Sequence, residues 1–429
     1  MSRFAPHPSA GYLVGGAVRD TLLERPTRDF DWLVAEPRLE AKRAAEALGG
    51  SAFVLDHTRD HWRVVAGGTT RDYAPLGELE PNLRARDYTV NAVAADLAGD
   101  LIDPTGGLRD LPKKRLRMVS AENLQADPVR GLRGVRLAAT LGFGLERATE
   151  TAIRAHAAAL QAGETPAPAP ERVGDELTQL LLSERAGPGF ALLHRTGLLR
   201  VYLPELAAAD GVTQGGFHHL DVLGHSLEAL HQLIHDFPDA DLTLRWATLL
   251  HDVGKPATKS YDDSGRYYHF YGHDKLGAEL ADNMLGRLRV PNERRARATG
   301  LIHYHMLPLP KTGKEARRFV HRRRALLPDL LKLMVADRAA ARGPLSSPKS
   351  RESYRLALSR VLEILAEPPP RKPLLDGLEV MQLLNLQPGP RVGEAVRFVQ
   401  EAEAVGDVAS KNDAETALRR YAAVQGWLD

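Results

Sequence analysis

The stretch that decides the reading of this 429-residue chain is Gly11-Tyr12-Leu13-Val14-Gly15-Gly16-Ala17-Val18-Arg19-Asp20-Thr21-Leu22-Leu23, followed five residues later by Asp29-Phe30-Asp31-Trp32-Leu33-Val34. Tyr12-Leu13-Val14 is a short β-prone run, Gly15-Gly16 is a turn, and Ala17 to Leu23 can open a helix that Pro26 ends. A strand, a glycine turn and a helix N-terminus form an anion site, because free backbone N–H groups and the positive helix end face one point. Asp29 and Asp31 alternate with Phe30 and Trp32. On a strand this puts the two carboxylates on one face, roughly 6–7 Å apart at Cα, and the aromatics on the other. Two carboxylates that close suit one or two hard cations such as Mg²⁺. A phosphate cradle beside a divalent-metal pair is equipment for phosphoryl or nucleotidyl transfer. Taken separately, Gly-Gly and Asp-x-Asp read equally as a turn and two solvated strand aspartates; it is their order and proximity that carry the argument.

Gly15-Gly16-Ala17-Val18-Arg19-Asp20 with Asp29-Phe30-Asp31 resembles the signature of the class II tRNA nucleotidyltransferases, which include CCA-adding enzymes and bacterial poly(A) polymerases. The resemblance implies that Asp29 and Asp31 bind Mg²⁺ and are catalytic, and that Gly15, Gly16 and Arg19 hold a triphosphate. It also implies an α/β, polymerase-beta-like nucleotidyltransferase head followed by a mainly α-helical body.

Length and composition agree with several domains. A chain of this length exceeds one ordinary domain. Net charge is only +2 and cysteine is absent. Any nucleic-acid contact must therefore come from local clusters, and disulfides and thiolate metal sites are excluded. No run of 18 apolar residues and no signal-peptide core is found, so a cytoplasmic protein with no membrane partner is expected. The expected divisions are a head over 1–115, a helical neck over 116–210, a third helical domain over 211–345 and a helical tail over 346–429, which the resemblance implies binds tRNA.

Mixed strands and helices run to about residue 115, with β-like runs at Phe53-Val54-Leu55, Trp62-Arg63-Val64-Val65 and Arg71-Asp72-Tyr73. Asp72 reads either as a third carboxylate or, preferred on its own terms, as an exposed strand aspartate. Arg86-Asp87-Tyr88-Thr89-Val90-Asn91-Ala92 resembles a second family element. By that likeness Arg86 and Asp87 contact the nucleotide; the plain alternative is an ion pair at a helix start. In Ala126-Asp127-Pro128-Val129-Arg130-Gly131-Leu132-Arg133, the residues Asp127, Arg130 and Arg133 step by three, which on a helix places neighbours on one face. This stretch is similar to the family's Glu-Asp-x-x-Arg motif, with Ala126 in place of the glutamate. The likeness implies that Asp127 and Arg130 read the edge of the incoming base, supported by Arg133. A guanidinium is a rigid donor fork suited to cytosine O2 and N3, and a carboxylate accepts from an exocyclic amine. Glu171-Arg172 to Glu176 resembles a further element, read as a brace in the neck or as an ordinary charged first turn.

Residues 218–337 hold the densest histidine set: His225, His251-Asp252, His273, His303, His305 and, with them, Asp337. An apolar helix ending in His-Asp, with other His and Asp on separate helices, suits a cysteine-free cation site. The pattern resembles an HD domain, a metal-dependent phosphohydrolase module. It implies metal ligands His225, His251, Asp252 and Asp337, with His273 and His305 for a second divalent ion, and phosphatase or 2′,3′-cyclic phosphodiesterase activity on RNA ends. A vestigial HD fold is the alternative. The basic run Arg317 to Arg324 suits tRNA phosphates or a solvated helix face equally.

Only the 13 residues 73–85 separate Asp72 from Arg86. In full CCA-adding relatives this segment is a longer flexible loop, which CC-adding relatives lack. The expected partners are therefore a tRNA 3′ end and CTP, with ATP if A is also added, and a separate A-adding enzyme if it is not. The alternatives, in order, are a full CCA-adding enzyme, a poly(A) polymerase, and a phosphohydrolase whose head is non-catalytic.

Overall fold

A computed structural model describes residues 7–215, 218–262, 268–343, 347–368 and 373–427. The chain divides into two compact units, Met1–Ala208 with Met284–Pro291, and Ala209–Asn283 with Asn292–Asp429.

The first unit opens on a seven-stranded sheet of β1 (Tyr12–Val14), β2 (Asp29–Val34), β3 (Ser51–Asp56), β4 (His61–Ala66), β5 (Thr69–Pro75), β6 (Ala94–Ala95) and β7 (Leu101–Ile102), in the order β3-β4-β5-β2-β1-β6-β7. Only β2 and β5 are parallel; the other neighbours are antiparallel. Phe30 and Trp32 face a core shared with Leu13, Val18, Val64 and Tyr73, while Asp29 and Asp31 lie on the opposite face. The period-2 alternation of β2 thus sorts apolar from acidic side chains. The amphipathic helix Pro37–Leu48 covers the core face with Ala41, Ala44 and Ala45. β5 ends at Pro75 and the next helix, Leu79–Arg84, begins after three residues, so the segment before Arg86 holds no long loop.

Behind the sheet the unit is helical. Expectation and structure part at residues 126–130. The sequence reading put Asp127, Arg130 and Arg133 on one helix face. Instead, one helix ends at Ala126, Asp127 is extended (φ −140°, ψ 108°), and the next runs Arg130–Leu141. Pro128 is the cause: its ring disfavours helical backbone in the residue before it. Asp127 therefore stands outside the helix that carries Arg130 and Arg133, although its Oδ2 stays 4.0 Å from Arg130 Nε.

Helix Arg130–Leu141 lies close against Tyr88, which is fully buried and donates to the Arg130 carbonyl at 2.8 Å. A Cβ on Gly134 would sit 1.9 Å from the Tyr88 hydroxyl. Gly134→Ala should therefore destabilise the chain by about 3 kcal/mol or more, a severe case of overpacking, read as a lowered urea midpoint; an unchanged midpoint would mean the helix can move away.

The second unit is nearly all helix: Val222–Asp236, Leu242–Leu250, His273–Arg287 (whose last turn belongs to the first unit), Asn292–Tyr304, Gly313–Arg323, Asp329–Ala340 and Pro348–Ala366. Asp221 and Asp241 cap the first two of these, accepting from Gly224 and Leu244 N–H at 2.7 and 2.8 Å. Three further helices, Gly377–Leu384, Pro390–Val405 and Lys411–Val424, close around Val380, Val399, Ala414 and Leu418. Among the described residues no helix is long and apolar enough to cross a membrane.

Candidate active sites

In the first unit a cavity of about 540 Å³ opens against the acidic face of β2. Gly15, Gly16, Arg19, Asp29, Asp31, Arg86, Asp87, Arg130 and Arg133 all line it; Asp127 does not. β1 and β2 pair so that Val14 lies opposite Asp31, which brings the turn that follows β1 to the carboxylate. Gly15 has φ +77°, and a Cβ there would lie 2.7 Å from Arg86 Nη1 and 3.1 Å from Asp31 Oδ2. Only glycine lets the turn, the guanidinium and the carboxylate converge. Gly15→Ala should cost about 1–3 kcal/mol of backbone strain and lower nucleotide incorporation by at least about tenfold, measured with labelled nucleotide.

Asp72, expected from the sequence as an exposed strand aspartate, is half-buried and paired. The parallel register sets it beside Asp31, where Arg63 on β4 grips both oxygens at 2.7 and 2.6 Å. Burial raises the Asp31 pKa; Arg86 opposes this, and the neighbouring Asp72 and Asp29 charges raise it further. Three carboxylates against two guanidiniums leave an excess of negative charge that a divalent cation would relieve, so the donor set fits a hard metal such as Mg²⁺.

The cationic wall is ordered by its own carboxylates. Arg19 binds Asp20 through two bonds of 2.8 and 2.9 Å and reaches Asn91 Oδ1 at 2.6 Å. Asp87 is buried, accepts from the Tyr88 N–H at 2.7 Å and from Asn91 Nδ2 at 3.1 Å, and faces Arg133 at 3.5 Å. Arg130 donates to the carbonyls of Ala85 and Asn123 at 3.1 and 2.8 Å. Buried Glu176 takes Arg133 at 2.8 Å and Arg136 at 2.5 Å on separate oxygens. Asp127 is held by both Arg172 nitrogens at 2.9 and 2.7 Å; burial would raise its pKa, but these bonds hold it below the ordinary carboxylate value. The sequence reading missed Asn91, Arg63 and Arg136. Arg136 continues the step of three from Arg130 and Arg133, which was the available signal.

In the second unit His225, His251, Asp252, His273, His305 and Asp337 converge. His225 Nε2 lies 2.9 Å from Asp337 Oδ1 and 3.6 Å from Asp252 Oδ2, and His251 Nε2 is 3.2 Å from Asp252. His273 and His305 approach the other Asp252 oxygen at 3.5 and 3.7 Å. Two triads, His225-His251-Asp337 and His251-Asp252-His305, have ligand atoms within 4.8 Å of one another. His251, His273 and His305 each place Nδ1 against a backbone carbonyl, of Thr248, Phe270 and Ile302, at 2.8, 2.7 and 2.6 Å. Those bonds leave Nε2 facing the cluster, and all three Nε2 atoms, with Asp252 Oδ1, are buried without a hydrogen-bond partner among the described residues. Carbonyl-oriented imidazoles with unpaired inner nitrogens fit a metal site. His303 stays outside, its ring against Tyr304. Sequence reasoning missed His218 and Lys255: His218 stacks edge-on against His225 at 4.5 Å, and burial pushes its pKa down to about 4. Lys255 donates to Asp252 at 2.7 Å.

Of the five arginines in the basic run 317–324, three are paired with two carboxylates. Arg317 is paired with Glu367, Arg318 and Arg322 share Glu401, and Arg323 lies over the Tyr304 ring at 3.8 Å.

A glycine turn beside paired strand carboxylates, walled by arginines, defines a nucleotidyltransferase head. The model described as the poly A polymerase head domain matches residues 51–117, one described as a probable RNA- and SrmB-binding site of polymerase A matches 142–210, and the HD domain model matches 222–342. The chain is 53% identical over 420 residues, 97% of its length and 96% of the relative's, to the A-adding tRNA nucleotidyltransferase of Deinococcus radiodurans. It is 48% identical over 412 residues, 96% and 93% of the two lengths, to the CC-adding tRNA nucleotidyltransferase of Thermus thermophilus. The chain belongs to the tRNA nucleotidyltransferases and carries an HD domain. Its fold is shared with the Bacillus stearothermophilus CCA-adding enzyme solved in complex with CTP, at TM-score 0.67 and 23% identity over 97% of this chain and 94% of that one.

Proposed function

We propose that the chain extends the 3′ end of tRNA with cytidines from CTP, without a nucleic-acid template, in the cytoplasm. The observation that carries this reading is the convergence of Gly15, Asp29, Asp31, Arg86, Arg130 and Arg133 on one cavity. Asp29 and Asp31 would hold Mg²⁺, which supplies activation of the tRNA 3′-hydroxyl and charge neutralisation of the departing pyrophosphate. The backbone after Gly15 and Gly16, with Arg19 and Arg86, receives the triphosphate. Arg130 and Asp127 select the base; Arg172 donates to each Asp127 oxygen, and the lone pair left on Oδ2 can still accept from a cytosine amine. Glu176 orients Arg133 and Arg136, and Asp87, which faces Arg133 and lines the cavity, would contact the nucleotide together with Arg86.

The three-residue link between β5 and the next helix supports CC addition, with a separate A-adding enzyme completing the terminus. A second reading, addition of the final A, is favoured by the 53% identity to an A-adding relative. Purified protein given tRNA ending before CCA, tRNA ending in CC, and each of CTP and ATP separates them. CC addition expects two cytidines on the first substrate and nothing from ATP. A addition expects one adenosine on the second substrate alone. Both events together mean a full CCA-adding enzyme, A-tracts on unrelated RNA a poly(A) polymerase, and no turnover a non-catalytic head.

For the HD cluster we infer metal-dependent hydrolysis of phosphoesters at RNA ends. His225, His251, Asp252 and Asp337 would hold one divalent ion, and His273 and His305 would contribute to a site for a second; such ions would supply Lewis acidity and a nucleophilic water. The water oxygen bonds to phosphorus, the ester P–O bond breaks, and the proton from water ends on the departing alkoxide. Hydrolysis of 2′,3′-cyclic AMP by metal-loaded protein, absent after chelation, is the expected result.

A further inference from the structure

Beside the HD cluster lies a cavity of about 340 Å³ whose inner end holds Asp252, Lys255 and Asp337. Its outer wall includes Tyr354, on helix Pro348–Ala366, which lies beyond the 222–342 span of the HD match. Arg338, one residue after Asp337, joins the two. Its guanidinium lies 4.5 Å from the Tyr354 ring centroid and donates to Ser350 Oγ at 2.6 Å. The Tyr354 hydroxyl is buried and has no hydrogen-bond partner among the described residues. A buried hydroxyl without a partner is unfavourable, a cost removed by an acceptor brought into the cavity. The cavity is at the small end of the roughly 300–1,000 Å³ of ligand sites, enough for one nucleotide and too small for an RNA helix. Near the cluster it presents Lys255 and Arg338 beside the carboxylates of Asp252 and Asp337, and it is apolar at Met306, Leu307 and Leu309.

We propose that Tyr354 and Arg338 form a specificity wall for a single terminal nucleotide. The phosphoester faces Lys255 and the divalent ion that Asp252 and Asp337 would hold, the Tyr354 hydroxyl donates to a sugar or ester oxygen, and the base rests on the Met306–Leu309 strip. The helix that follows the HD match thereby restricts this centre to nucleoside phosphates. The proposal rests on the hydrolytic reading of the cluster.

The test compares wild type, Tyr354→Phe and Arg338→Ala, loaded with Mn²⁺, on 2′,3′-cyclic AMP and on p-nitrophenyl phosphate, which has no sugar or base. Tyr354→Phe should lower kcat/KM at least about tenfold on the nucleotide, about 1.4 kcal/mol, and at most about twofold on the small ester, with an unchanged melting temperature. Arg338→Ala should follow it with a smaller discrimination. Equal losses on both substrates, or none on either, overturn the proposal. If wild type hydrolyses neither, the hydrolytic reading fails, and calorimetric binding of 2′-AMP decides the wall separately. Binding at least about tenfold weaker in Tyr354→Phe supports it, and equal affinity overturns it.

Discussion

Asp29→Ala and Asp31→Ala should each abolish nucleotide addition, by at least about a hundredfold in kcat/KM, because each removes a carboxylate aimed at the cavity and with it several kcal/mol of transition-state charge stabilisation. Asp31 is the more sensitive position. It sits against Gly15 and Arg86 and beside Asp72, so its loss also leaves Arg86, a buried guanidinium whose pKa burial lowers and Asp31 raises, without its nearest counter-charge. Incorporation of labelled CTP or ATP into trimmed tRNA measures the effect. Hydrolysis at the HD cluster, if measured in parallel, should be unaffected, since none of its six residues lies in the same unit. Retained addition in either variant would remove the metal-binding role from this pair.

Asp252→Ala should act in the opposite sense. Asp252 is the hub of its cluster: it is approached by His225, His251, His273, His305 and Lys255. Without it, bound divalent metal should fall to background by elemental analysis, and hydrolysis by at least about a hundredfold, beyond what an outer-sphere change costs. The metal-free variant should also be destabilised by roughly 3–5 kcal/mol, the cost of stripping one partner from a buried charged pair, because buried Lys255 and His251 lose their closest anion. His251 illustrates the coupling: burial lowers its pKa, but Asp252 and Asp337 together raise it to about 10. Nucleotide addition should persist. A variant that keeps its metal would show that the cluster is a hydrogen-bonded core.

How much of this was legible beforehand follows from the range of the interactions. The β2 alternation, the glycine turn after β1 and the His-Asp end of helix Leu242–Leu250 are local patterns, in which neighbouring residues decide which face a side chain takes. Position 127 was misread because the rule of three assumes an unbroken helix, whereas Pro128 reset the backbone one residue earlier. The pairing of Arg317, Arg318 and Arg322 could not be read from the basic run 317–324, because their partners, Glu367 and Glu401, lie some fifty to eighty residues away in sequence.

The order of residues alone determined the chemistry on offer: two strand carboxylates behind a glycine turn, a series of arginines at steps of three, and a set of histidines with aspartates in place of cysteine. Tertiary structure alone decided which of them act together. It set Asp72 beside Asp31, closed Arg172 over Asp127, put Glu176 beneath two arginines, and gathered six HD residues from five helical segments around Asp252. Pairings of this kind depend on strand register and helix packing between distant parts of the chain, where burial makes each unpaired charge costly enough to select its partner.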